Sequence, residues 1–211
     1  MHHSTIRTYR IVAGVIVLAI SIAGIVQGSR AGIAQGLYWQ AKFGSVKDYP
    51  RDVRLGATLR RCESAYRWYP YNYWFSIWTA ETVWHERCDR LGREVPERVD
   101  GAALWCDRGL ALNRHKSQLR LLKARLLERD SAARAMRYWE EYVEWQFWEP
   151  YNHAVLAELR AKAGDYAGAV AALEWVGGSR HYEQAARMVN EAWNRELQDA
   201  REKSESLPQA R

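Results

Sequence analysis

The apolar positions fall into two patterns. Residues 11–28 read IVAGVIVLAISIAGIVQG, and no charged residue lies between Arg10 and Arg30. As a helix this block would be about 27 Å long, close to the thickness of a bilayer's hydrocarbon core. After it, apolar residues return every three or four positions, the spacing of helices with one buried face. The spacing predicts helices over 50–68 (Leu55, Leu59, Cys62 and Tyr66 inward), 71–88, and 96–113 (Val99, Ala103, Cys106 and Leu110 inward). Leu119, Leu122 and Leu126 mark the next helix, and Met136, Trp139, Val143 and Phe147 its partner. Val155, Leu156 and Leu159 precede Tyr166, Ala169, Leu173 and Val176; a last helix carries Tyr182, Ala186, Val189 and Trp193. No useful run alternates as a strand would, so the fold class is all-α. Short connections make successive helices antiparallel neighbours.

The expected organisation is a cytoplasmic tail over 1–10, a transmembrane helix over 11–28 and a juxtamembrane segment over 29–49. A helical repeat domain over 50–198 and a polar, flexible tail over 199–211 would follow. Pro50 suits the first position of a helix. The repeat is visible in the turns. Trp68-Tyr69-Pro70-Tyr71-Asn72 recurs 80 residues later as Trp148-Glu149-Pro150-Tyr151-Asn152. That interval equals two units of about 40 residues. Leu112-Asn113-Arg114 occupies the corresponding turn between them. Proline ends one helix and asparagine is suited to cap the next. Breaks between hairpins are therefore expected near Pro70, Arg114 and Pro150.

Residues 153–176 resemble a tetratricopeptide repeat. The matching positions are Leu156, Ala157, Gly164, Tyr166, Ala169 and Leu173, around the turn Ala163-Gly164-Asp165-Tyr166. The likeness is looser over 71–113 and 115–148, where the units exceed the family's usual length, and 31–68 could add a further hairpin. The resemblance implies an α-solenoid of three to four hairpins with a C-terminal capping helix and a concave binding face. It implies no chemistry, because such repeats mostly serve as scaffolds and adaptors.

Charge and cysteines adjust this picture only slightly. The net charge is +6, and residues 30–61 carry seven Lys or Arg against Asp48 and Asp52. A basic stretch just beyond an apolar segment suits anionic lipid headgroups, though a solvated helix face would look the same. No nucleic-acid-binding motif accompanies the charge. Three cysteines, Cys62, Cys88 and Cys106, cannot all pair within one chain. Cys62 and Cys106 hold equivalent places in successive units, about 9–10 Å apart if the units stack, beyond disulfide reach. They are expected to be small, unpaired core residues.

The apolar block reads either as a retained anchor or as a signal peptide. Arg30, lying between Ser29 and Ala31, spoils the cleavage site and favours retention. A short N-terminal tail bearing Arg7 and Arg10 would stay in the cytoplasm, which in a bacterium sends the large domain to the periplasm. Gly24, Gly28, Gly32 and Gly36 recur every four residues. On one helix they form a ridge where another transmembrane helix, from a second copy or a partner, could approach closely. Alternatively Gly32 and Gly36 lie in an exit loop.

Aromatic residues are concentrated. Eight of thirteen positions over 66–78 are aromatic, and seven more follow over 138–151. Trp74, Phe75, Trp78, Trp139 and Phe147 are candidates for core. Tyr71, Tyr73, Trp145, Trp148 and Tyr151 are candidates for a partner-binding surface, since Trp and Tyr serve as interface anchors. They could equally stack on sugars, lie at a membrane surface, or be buried against one another.

No P-loop, nucleophile elbow, HExxH or dinucleotide fingerprint is present. His85 and Cys88 are too few for a metal site, and Glu140, Glu141 and Glu144 read as a solvated face. The expectation is a non-enzyme without cofactor or metal: a single-pass protein of the bacterial inner membrane that binds protein as a scaffold or accessory subunit. The alternative is a component of an envelope polysaccharide polymerisation or export system. The retained anchor is checked by sequencing the N-terminus of the membrane-extracted protein, which should start at Met1 or His2. A start near residue 32 would show cleavage instead.

Overall fold

The computed structural model describes residues 2–44, 51–89 and 91–206. Pro50, expected to open a helix, lies outside them. The described residues form nine helices and no strand: α1 (His2–Phe43), α2 (Arg51–Trp68), α3 (Tyr73–His85), α4 (Pro96–Leu112), α5 (Ser117–Asp130), α6 (Ala132–Trp145), α7 (Pro150–Lys162), α8 (Tyr166–Glu174) and α9 (Tyr182–Ser206). The all-α class is as the periodicity required, and helix breaks fall at Pro70, Arg114 and Pro150. Several boundaries differ from those read in the sequence: α3 is shorter than the expected 71–88, and α1 starts at His2, within the expected tail. α1 runs unbroken through residues 29–43, which carry no helix breaker strong enough to end it. α9 extends to Ser206, into the segment expected to be a flexible tail. The chain divides into two compact units, Met1–Leu112 and Asn113–Arg211.

In the first unit the C-terminal part of α1 pairs with α2, and α3 pairs with α4. Ala34, Tyr38, Ala65 and Phe75 form one core, with Leu37, Tyr69 and Trp78 packed against it. Alanines at 34 and 65 leave room for the Tyr38 ring, which stacks on Phe75 at 4.6 Å and meets the edge of Trp78 at 5.5 Å. Two arginines of α4 tie it to α2. Arg108 pairs with Glu63 at 2.7 Å while its guanidinium lies over the Tyr66 and Trp105 rings. Arg98 pairs with Asp52 and donates to the Glu86 and Cys88 carbonyls, which also fastens the loop after α3. Cys62 and Cys106 are fully buried and joined by no disulfide. Burial pushes the Cys62 thiol pKa up.

The second unit is built around α7, whose residues from Asn152 to Leu159 are all buried. α6 and α8 flank it in sequence, and α9 packs on both α7 and α8. The core includes Trp139, Tyr142, Val155, Leu156, Leu159, Ala169 and Val189. The tight turn between α7 and α8 needs Gly164, whose φ of +81° lies in the left-handed region that L side chains rarely adopt. Asp165 then caps α8, its carboxylate accepting from the Gly168 N–H at 2.9 Å.

Three residues of this unit expected in the core are exposed: Phe147, Tyr182 and Trp193. Phe147 follows the end of α6, so the helical phase no longer governs it. In α9 the inward set is Ala185, Val189 and Ala192, one step out of phase with the large aromatics. Small residues let α9 come close to α7, whereas Tyr182 and Trp193 would hold it away.

One charged cluster is buried in this unit. Glu158 is only 5% exposed and receives both Arg125 guanidinium nitrogens, at 2.6 and 2.8 Å, and Lys162 at 2.7 Å. Burial alone would raise its pKa. The Arg125 and Lys162 hydrogen bonds outweigh that and hold the carboxyl below its usual range. Its contribution is thus fully present above the usual glutamate value, about 4.3, and is lost as pH falls from there through the lowered value of the folded state. Glu158→Ala is expected to destabilise the protein by about 2 kcal/mol at pH 7, because Arg125 and Lys162 lose their buried partner and keep only Glu128. Chemical denaturation at pH 7 and pH 4 checks this: the variant's deficit should shrink at the lower pH.

Candidate functional site

The two W-x-P-Y-N turns, one in each unit, are held in different ways. In the first, the chain leaves α2 at Trp68 and enters α3 at Tyr73. Asn72 caps α3, accepting from the Trp74 N–H at 3.1 Å. In the second, Pro150 is itself the first residue of α7 and Glu149 is the cap. Asn152, expected to cap this helix, instead lies inside its first turn, 1% exposed. Its side-chain amide donates to the Gln146 carbonyl at 3.2 Å, and its own carbonyl accepts from the Trp139 indole at 2.9 Å. His153 Nε2 donates to the Phe147 carbonyl at 2.6 Å. Side chains of α7 thus bond the carbonyls of the two residues that follow α6. The segment between the helices is pinned from beneath, Gln146 Oε1 accepting from the Tyr142 hydroxyl, and the side chains of Phe147, Trp148 and Glu149 are exposed.

Those outward residues are the sequence candidates and their neighbours. Trp148 is 63% exposed and meets Phe147 edge to face at 5.4 Å. Trp145 is 47% exposed and stacks on His115 at 3.7 Å with 19° between the planes. Tyr151 is more than one-third exposed and packs on the His181 ring at 5.2 Å. Trp175, also exposed, stacks on His153 at 5.1 Å. Phe147, Trp175 and the three histidines are not among the expected site residues. A period of 3.6 cannot reveal them, because they come from turns and from different helices. Partial burial against Trp145, together with the nearby charges of Arg114 and Arg120, lowers the His115 pKa. The ring stacking on Trp145 is then neutral near pH 7. Glu140, read as part of a solvated acidic face, instead pairs with Arg160 at 2.8 Å; Glu141 and Glu144 are exposed.

In the first unit Tyr71 is 65% exposed, and Tyr73 is half-buried, stacked on Trp74 at 5.2 Å. Trp74, expected in the core, is itself exposed. It follows the Asn72 cap on the outward side of α3, while Phe75 takes the inward position. Tyr71 and Tyr73 belong to a different compact unit from Trp145, Trp148 and Tyr151.

The four glycines lie on one continuous helix. A methyl group added at Gly24, Gly28, Gly32 or Gly36 would meet no described atom within 4 Å. Ala34, Tyr38 and Ala41 are buried towards α2 and α3. At roughly 100° per residue Gly32 and Gly36 fall on the other side of α1, while Gly28 and Gly24 lie progressively further round on its bare part. The ridge is therefore smooth along both the apolar and the paired parts of the helix. Among the described residues no group of three or more His, Cys, Asp or Glu is arranged to hold a metal. Gly24→Leu with Gly28→Leu should weaken self-association or complex formation in mild detergent, read by analytical ultracentrifugation, and leave membrane insertion unchanged. Unchanged association would reduce the ridge to a tolerated run of small residues. Neither a family model nor a curated protein matches the chain.

Proposed function

We propose that this chain is a membrane-anchored protein-binding module, a scaffold or accessory subunit of a cell-envelope complex, that catalyses no reaction. α1 anchors it as a single-pass protein of the bacterial inner membrane, with the helical units on the periplasmic side. The helix is long and apolar enough to cross a bilayer. The short segment before it, with Arg7 and Arg10, suits the cytoplasm. The resemblance of the α7–α8 hairpin to a tetratricopeptide repeat supports a binding role. The same kind of role extends to the glycine ridge, as a contact for a second copy or a partner's helix.

One observation carries the reading. Phe147 and Trp148 are exposed on a segment whose backbone is fastened by the buried Asn152 and His153. Large rings on a rigid mount cost little entropy to immobilise, which is the property of an interface anchor. Trp145, the last residue of α6, and Tyr151, in the first turn of α7, are exposed on either side of this segment.

Trp148→Ala is expected to cost less than about 1 kcal/mol in stability, because little is packed on that ring. Trp145→Ala should cost somewhat more through the lost His115 stack. The full-length chain, purified in mild detergent, should retain a stoichiometric protein partner that the double variant loses while its circular dichroism stays native. Retention of glycan in place of protein would favour a role in polysaccharide polymerisation or export. Capture unaffected by the double variant, or loss of folding in either single variant, would overturn the assignment of this surface.

A further inference from the structure

The bare part of α1 and the end of α2 meet at one level. Every residue over 11–29 is exposed. Cover begins at Arg30, the first charge after the apolar block. Its Nε donates to the carbonyl of Trp68, the last residue of α2, at 3.0 Å. α2 runs back along α1, with Arg61 reaching the Gln40 carbonyl at 3.4 Å further along. The turn after α2 therefore returns to the height of Arg30. From Ile11 to Arg30 the helix rises about 28 Å, one hydrocarbon thickness.

That turn carries Trp68, Tyr69 and Tyr71, with Tyr73 and Trp74 next at the start of α3. Trp68, Tyr71 and Trp74 are exposed, and Tyr69 meets Tyr71 edge to face at 5.6 Å. No acidic residue occurs between Glu63 and Glu81, whereas Arg67 lies within the stretch. The second aromatic cluster differs here: Glu140, Glu141, Glu144 and Glu149 are interspersed with its rings. Exposed Trp and Tyr without acidic neighbours, level with the end of an apolar span, match what the headgroup zone selects. The ring body enters the acyl boundary while N–H and O–H groups stay among water and headgroups.

We propose that the turn over 68–74 is an interfacial anchor, seated in the headgroup region of the bilayer that α1 crosses. This rests on reading α1 as a membrane span. The hairpin of α1 and α2 is then attached at two places, along the span and at the turn. The Arg30–Trp68 hydrogen bond links the two, which sets the depth and tilt of the first unit. Tyr71 and Tyr73 are lipid contacts on this account, and protein recognition falls to the second aromatic cluster.

The test uses the full chain with Cys88→Ser, since Cys62 and Cys106 are too buried to label. Nitroxide is placed at Leu18→Cys, Tyr71→Cys or Leu91→Cys in vesicles of phosphatidylcholine with some phosphatidylglycerol. Leu91 is an exposed residue in the loop beyond the far end of α3. Relaxation by oxygen and by a water-soluble nickel chelate reports depth. Position 18 should be inaccessible to nickel, position 91 fully accessible, and position 71 several-fold less accessible than 91. If 18 is protected while 71 is as wet as 91, the interfacial anchor is wrong and the span stands. If 18 is itself wet, α1 does not cross the bilayer and both readings fall. Circular dichroism of each labelled protein confirms that the helices are intact.

Discussion

Ten large aliphatic side chains of α1, from Ile11 to Val26, have nothing of their own chain to lie against. Each one left in water forgoes about 1.5–3 kcal/mol of burial. Together they would exceed the 5–15 kcal/mol by which an ordinary domain is stable, on the order of magnitude that such sums allow. The backbone of the same segment is self-satisfied, as a helix must be to enter hydrocarbon. The need for an apolar surrounding along one half of α1 organises the first unit. Pairing with α2 begins where that half ends, and Arg30 marks the transition.

The repeated pentapeptide shows how one local pattern is put to two uses. The proline lies in the turn between α2 and α3 in the first copy and opens α7 in the second, with a tryptophan two positions before it in both. The role of the asparagine depends on where the next helix starts. With Asn72 outside α3, the side chain caps and the turn stays near α1 through the Trp68 carbonyl. With Pro150 as the first residue of α7, the asparagine moves inside the helix. Its amide is then spent on the end of α6. The first turn is thereby tied to α1, and the second to the centre of the C-terminal unit.

Rigidity in the second unit comes from polar groups as much as from apolar ones. α7 buries Asn152, His153 and Glu158. The first two close the preceding turn, and Glu158 gathers Arg125 and Lys162. Buried charge is tolerable only when partnered, so this cluster specifies how α5 and α7 meet. The outward rings of Phe147 and Trp148 inherit that definition.

The helices, their class and most of their limits were legible in the chain itself. The 3.6-residue period, the caps and the prolines are local, and local energies decide where a helix can begin and end. The charge-free length of the apolar block is equally local. The periodicity also placed Leu55, Cys62, Val99, Cys106, Trp139 and Leu159 inside, as they are. Other features required neighbours from elsewhere in the chain. The phase of α9 follows its fit against α7, which favours Ala185 and Ala192 over Tyr182 and Trp193. The exposure of Phe147 and Trp74 depends on where α6 stops and α3 starts. The stacking of Trp145 on His115 joins residues thirty positions apart. The height of Trp68 beside Arg30 likewise exists only once α2 has folded back on α1. Sequence determines which residues can share a helix face, because that depends on the backbone alone. Only tertiary packing decides which face is covered, because cover is supplied by distant parts of the chain.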